Sequence, residues 1–136
     1  VIDLPLHKYL LPDGERRVRV TTANDPDAMP ALTLVRVRQR LASRPLQGLP
    51  AMTLLEVTIK TGRTHQIRVH LASQGHPIVG DDKYGDFDLN KRLHKLGLKR
   101  MFLHAWRLQF SHPATAERIT LNAPLPAELA EFIPPA

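Results

Sequence analysis

Two runs of alternating residues, Leu32–Leu41 (LTLVRVRQRL) and Thr53–Lys60 (TLLEVTIK), constrain this chain more than any other feature. Side chains on a strand point to opposite faces in turn, so period-two patterning marks half-buried strands. In the first run Val35, Val37 and Leu41 fall on one face, and Arg36, Arg38 and Arg40 on the other. In the second, Leu55, Val57 and Ile59 face inward and Glu56, Thr58 and Lys60 outward. The segment between them, Ser43–Pro50, holds two prolines and a glycine, a connection that lets the strands pair antiparallel. Gly62 ends the second strand. Thr64 is placed to cap a helix over roughly His65–Gln74, with Ile67 and Leu71 as its apolar stripe. Gly75 supplies a left-handed stop and Pro77 bars continuation.

Weaker patterns flank this unit. Residues 1–31 are rich in turn formers and hold one short expected strand, Arg16–Thr21. A basic second helix is expected over Leu89–Leu98, and a strand over Met101–Phe110 with Phe102, Trp106, Leu108 and Phe110 on one face. Glu117–Leu121 is its expected hairpin partner, and Pro126 opens a final helical turn or two through Phe132. No repeat or linker divides the chain, so residues 1–136 form one unit. The fold class expected is α+β: a mostly antiparallel or mixed sheet of about five strands with short helices.

Composition narrows the chemistry. The chain lacks cysteine, which removes disulfides and thiolate metal sites and fits a reducing compartment, the cytoplasm. No apolar run approaches the ~18 residues of a membrane span. Seven histidines are present. Two of them, His65 and His70, lie about 140° apart around a helix, the wrong separation for a shared metal. Phosphate-binding glycine loops and a GxSxG elbow are absent. Neither a metal nor a cofactor is expected.

The net charge of +6 favours a polyanionic partner, or simply keeps the chain soluble. The cations concentrate in two places. Arg63, His65, Gln66, Arg68 and His70 crowd the mouth and first turns of the first helix, where free backbone N–H groups and the helix dipole attract an anion. Lys91, Arg92, Lys95, Lys99 and Arg100 form a run that is either a solvated face or, with Arg36, Arg38 and Arg40, a track for RNA. Arg68 sits among apolar neighbours, so it either snorkels to solvent or forks onto a carboxylate, with Asp81 and Asp82 as local candidates. Tyr84 either packs under its loop or lines a pocket, and Trp106 reads as core.

Taken in order, LLEVTIKTGRTHQIRVHLASQGHPIVGDDKYG at 54–85, FLHAWRLQFSHP at 102–113 and NAPLP at 122–126 resemble the RluA-type RNA pseudouridine synthases. Among these, the likeness is greatest to members that modify large-subunit ribosomal RNA. The resemblance implies a cofactor-free isomerase. In that family an aspartate attacks a flipped uridine, the glycosidic bond breaks, and the base rejoins its ribose through C5. By the H-Q-[IL]-R element, Arg68 is the arginine that pairs with that aspartate, and Ile67 packs beside the pocket. Arg63, His65, Gln66, Lys91, Arg92 and Lys95 are then candidate RNA contacts or supports. The family's H-R-L-D motif does not occur in these residues. The chain is therefore expected to be the C-terminal portion of a catalytic domain, inactive without an N-terminal half. One strand edge and some apolar surface should lie open. A non-catalytic RNA-binding module of the same fold, or a basic protein-interaction domain, is the alternative.

Overall fold

A computed structural model describes residues 1–133. The two alternating runs form β4 (Leu32–Leu41) and β5 (Met52–Ile59), paired antiparallel from Thr33↔Ile59 to Leu41↔Met52. The short β1 (Ile2–Asp3) pairs with the other edge of β4, completing a three-stranded sheet in the order β1-β4-β5. A bulge interrupts the register between Val37 and Gln39, so Arg38 is the extra residue. An inserted residue reverses the alternation. Leu41 therefore falls on the opposite parity to Val35 and Val37, and the arginines do not make one continuous face.

The first 31 residues hold more structure than their turn formers suggest. β2 (Leu6–Leu10) and β3 (Arg16–Val20) make an antiparallel hairpin around Gly14, with Leu6 opposite Val20 and Lys8 opposite Val18. Near the other end, β6 (Arg107–Ser111) and β7 (Arg118–Asn122) form a second separate hairpin. Among the described residues seven strands thus divide among three antiparallel sheets, where about five in one sheet were expected. The strand expected from Met101 starts only at Arg107; Phe102 instead packs against the cluster of Leu49, Leu89, Leu93, Leu98 and Leu129.

Helix α1 spans Gln66–Ser73 and α2 spans Phe87–Lys95. Both end in the same six-residue closure. In α1 the His76 N–H bonds to the Leu71 carbonyl and the Gly75 N–H to Ala72, with Gly75 at φ +79°. In α2, Leu98 and Gly97 repeat this onto Leu93 and His94. α2 starts two residues before the expected Leu89 because the Asp86 carboxylate accepts the Leu89 N–H, an N-cap. A short α3 (Ala127–Ala130) follows Pro126.

The two long helices serve different parts of the core. α1 packs Val69 with Leu6, Val18 and Ala31, and Leu71 with Ile2 and Ile78. α2 packs Leu89 and Leu93 in the separate cluster around Leu129. On β6–β7, Leu108, Phe110, Ile119 and Leu121 share one face through the pairs Leu108↔Leu121 and Phe110↔Ile119. Leu108 is 59% exposed and Leu121 54%. Among the described residues this face has no cover, and β5 has no strand on its outer edge. Both match the expectation of open surface.

Candidate functional site around Arg68 and Tyr84

The Thr61–Tyr84 stretch closes on itself through buried polar bonds. Gln66 is buried and makes four: its amide donates to the Leu32 carbonyl (3.0 Å) and to Thr33 Oγ1 (2.9 Å). Its Oε1 accepts from the Thr61 hydroxyl (2.7 Å) and the Arg63 N–H (3.0 Å). A side chain so committed satisfies backbone groups that β5 and α1 leave unpaired at their junction. Gln66 is therefore a clamp that joins β4 to the segment opening α1. His70, also buried, links Thr33 Oγ1 (2.7 Å) to the Leu4 carbonyl (2.9 Å). The carbonyl needs a donor, so Nε2 carries the proton and Nδ1 accepts from the threonine. α1 is thereby fixed across β4 and the start of the chain.

The cap of α1 is His65 and not Thr64. His65 adopts the left-handed region at φ 52°, and its side chain makes no bond to the helix. Its Nδ1 instead meets the Tyr84 hydroxyl at 2.8 Å. That hydroxyl accepts the Val18 N–H (2.9 Å), so its own proton goes to Nδ1, leaving Nε2 as the protonated nitrogen. Burial lowers the His65 pKa, and the charges of Arg68 and Lys83 lower it further. A histidine held neutral binds fewer protons folded than unfolded. Its contribution is therefore complete above the unfolded value near 6.5, and it declines as pH falls from there through the lower folded value. His65→Asn, which tolerates a left-handed backbone, should remove that part of the pH dependence. Urea midpoints between pH 7 and 5 measure the difference.

Arg68 is clasped by an acid of its own chain. Its Nε and Nη2 donate to the two oxygens of Asp81 at 2.9 and 2.8 Å, a two-pronged bond. Asp82 stands 3.7 Å from Nη2 and its side chain is 87% exposed, so of the two candidate acids Asp81 is the partner. The Asp81 side chain is fully buried and also accepts the Lys83 and Tyr84 N–H groups. Burial would push its pKa up, but Arg68 and those two donors hold it below the ordinary carboxylate value. The bond to Asp81 in turn raises the Arg68 pKa. Nη1 of Arg68 has no hydrogen-bond partner among the described residues, and the side chain retains 14% exposure. Of the two readings of Arg68, the forked bond to a local carboxylate is the one formed, and it takes one edge of the fork.

Tyr84 gathers the rest. Its ring lies 5.2 Å from the Arg68 guanidinium carbon and 5.7 Å from that of Arg17 on β3. Arg17 also donates to the Lys83 carbonyl (3.1 Å), and Lys83 pairs with Glu15 at 2.8 Å. Arg17 is the site residue that sequence reasoning did not name; Asp81 was one of two candidate partners of Arg68, and Tyr84 was placed either under its loop or at a pocket. The GDDKYG turn was the available signal, since its Asp81 carboxylate returns to α1 and its Tyr84 hydroxyl and Lys83 carbonyl to β3.

The other candidates are dispersed. Arg63 Nε donates to the Pro30 carbonyl at 2.8 Å. Ile67 packs beside Leu71 against β4 and β5. Lys91 and Lys95 are exposed on α2, while Arg92 donates to the Gly48 carbonyl. None of the three on α2 joins the Arg68 cluster. Elsewhere His7, Asp25 and Asp27 place potential ligand atoms within 4.8 Å of one another, a grouping their sequence separation conceals. There Asp25 already accepts from Thr21 and from the Asp27 N–H, and it pairs with His7. Among the described residues no helix is long and apolar enough to cross a membrane.

Comparison with known proteins agrees with the motif reading. Residues 2–73 match the family described as RNA pseudouridylate synthase. Ribosomal large subunit pseudouridine synthase C of Pasteurella multocida is 41% identical over 133 residues, 98% of this chain but 37% of the relative. The protein of the same name from Escherichia coli K12 is 41% identical over 126 residues, 91% of this chain and 36% of the relative. The chain thus spans less than two fifths of these relatives. The solved structure of human RNA pseudouridylate synthase domain containing 1 superposes with a TM-score of 0.68 at 28% identity, over 92% of this chain and 47% of that one. An α+β fold, the H-Q-I-R helix at 65–68 and a family match over residues 2–73 lead to one assignment: the chain belongs to the RNA pseudouridylate synthase family.

Proposed function

We propose that these residues form one wall of a site that isomerises uridine to pseudouridine in large-subunit ribosomal RNA. The relatives' names and the H-Q-I-R helix support the reading. The observation that carries it is the half-used fork of Arg68: Nε and Nη2 on Asp81, Nη1 without a partner among the described residues. In this account Asp81 orients the guanidinium, and Nη1 takes a second carboxylate, the nucleophilic aspartate that the family resemblance implies. A cation there keeps that carboxylate ionised and aimed at the uridine. The acid attacks as the C1′–N1 bond breaks, the base turns, C5 bonds to C1′ as the carboxylate leaves, and the C5 proton is lost while N1 takes one up. Arg17, Tyr84 and His65 hold Arg68 in place from the β3 side. The 136 residues alone carry no isomerase activity in this account; turnover of labelled ribosomal RNA by the isolated chain would refute that.

The test of Arg68 uses the complete synthase containing this chain. Arg68→Lys keeps the charge but loses the planar fork. It should cut turnover by about 10²-fold or more, the loss expected for a single preorganised donor, while RNA affinity stays at the wild-type level. Turnover unchanged in the folded variant removes Arg68 from the mechanism. The Arg68–Asp81 pair alone would also suit a non-catalytic RNA-binding module, which no form of the protein would turn into an isomerase.

A further inference from the structure

Trp106 is the chain's one tryptophan, and it does not serve the core. It precedes β6, half-buried, and belongs to none of the three buried clusters. Two guanidinium groups converge on its ring, Arg107 at 4.1 Å and Arg38 at 5.6 Å from the centroid. Arg38 reaches it from the bulge in β4, the kind of irregularity that re-aims a side chain. Both cations keep capacity to spare. Arg107 donates to the Asn122 side chain (3.2 Å) and has no ion pair among the described residues. Arg38 faces Glu56 at 3.3 Å with half its side chain in solvent. Arg36, opposite Glu56 in the register, is exposed and has no ion pair among the described residues.

This patch is distinct from the Arg68 site. Thr33, which bonds to α1, and Arg36 have opposite parity before the bulge, so Arg36 and Arg38 lie across the β4–β5 sheet from α1. Two guanidiniums within about 6 Å of one indole bring two positive charges close together, with no carboxylate on Arg107 to offset them among the described residues. Single-stranded nucleic acid supplies what both groups lack, a flat base for the π surface and phosphates for the guanidiniums. We propose that Arg36, Arg38, Trp106 and Arg107 form a second contact for single-stranded RNA flanking the modified nucleotide. A base stacks on the Arg107–Trp106 pair while phosphates engage Arg36 and Arg38. The proposal rests on the RNA-modifying reading above and adds a subsite to it.

A lone tryptophan makes the test direct, because all indole emission reports this patch. A uridine-rich RNA of about 12 nucleotides, within the span such surfaces cover, is titrated into the 136-residue chain at low salt. Tryptophan emission should be quenched with the same midpoint as the anisotropy of end-labelled RNA. Arg36→Gln should weaken binding and lower the log–log salt slope by about one, whereas Arg107→Gln should weaken binding with a smaller change of slope. RNA binding without an emission change overturns the proposal, as does no binding at all. Equal quenching by polyglutamate also overturns it, since the patch would then take any acidic chain. A complete synthase whose RNA affinity and pseudouridine formation are unchanged by Arg36→Gln and by Arg107→Gln sinks this subsite alone and leaves the family activity standing.

Discussion

Asp81→Asn should destabilise the chain by about 3 kcal/mol, the lower end of the cost of removing one partner from a buried ion pair. The lower end applies because Arg68 keeps some contact with water, whereas Asp81 has none. Asparagine preserves the volume, but its NH₂ must point at one of the donors that the carboxylate accepted: Arg68 or the N–H of Lys83 or Tyr84. Against a total stability of roughly 5–15 kcal/mol for a small domain, that loss is large. The reciprocal variant Arg68→Met gives a sharper signature in pH. In the wild type the folded pKa of Asp81 lies below the unfolded value, so its contribution is present above about 4 and lost as pH falls through the folded value. With Arg68 removed, the largest influence lowering the Asp81 pKa is lost while its burial remains, so the folded pKa rises. The stability gained above about 4 shrinks, and the profile is flatter than that of the wild type. Urea midpoints from pH 3 to 7 read both slopes. A double variant costing less than the summed single costs by about 1 kcal/mol or more marks the coupling. Additive losses with parallel pH profiles would mean the pair is not formed in solution.

That pair also shows where the sequence could and could not be read. β4, β5, α1 and the close at Gly75 were legible because each rests on local periodicity or a residue with one conformational use. β2 was not: LHKYL is five residues with one buried side chain, and its position comes from pairing to β3 and the Leu6–Met29 bridge. The bulge at Arg38 leaves no mark, since the alternation VRVR continues through it while the pairing does not. Alternation likewise placed Trp106 with Leu108 and Phe110, yet the strand begins one residue later. The need of Arg68 for a carboxylate was legible from its apolar setting. Choosing Asp81 over Asp82 was not, because it depends on a turn in which Asp81 also binds the N–H groups two and three residues on. Gln66 looked like a donor for RNA. What decides its role is the unpaired backbone at the end of β5, which only the assembled fold reveals.

Gly80→Ala should cost about 3 kcal/mol, from left-handed strain of about 1 kcal/mol and overpacking of about 2 kcal/mol. Gly80 sits at φ +80°, and a Cβ there would lie 2.3 Å from the Arg100 carbonyl oxygen and 2.9 Å from the Met101 Cα. Both are backbone atoms, so no rotamer change relieves the contact. The two segments are also pinned together by the Phe102 N–H on the Val79 carbonyl, and the Gly80 N–H ties the turn to Asn90 of α2. Alanine must therefore push the 78–84 turn away from residues 100–102 and carry Asp81 with it. Gly14→Ala separates strain from clash. Gly14 has φ +86° with nothing within 4 Å of an added Cβ, so only the left-handed cost of about 1 kcal/mol applies. Chemical denaturation of the two variants side by side measures the difference. Arg68→Met made in the Gly80→Ala background should cost less than in the wild type, because the displaced carboxylate has already lost part of its grip. Equal costs for Gly80→Ala and Gly14→Ala would detach the turn from residues 100–102, and with it the placement of Asp81 beneath Arg68.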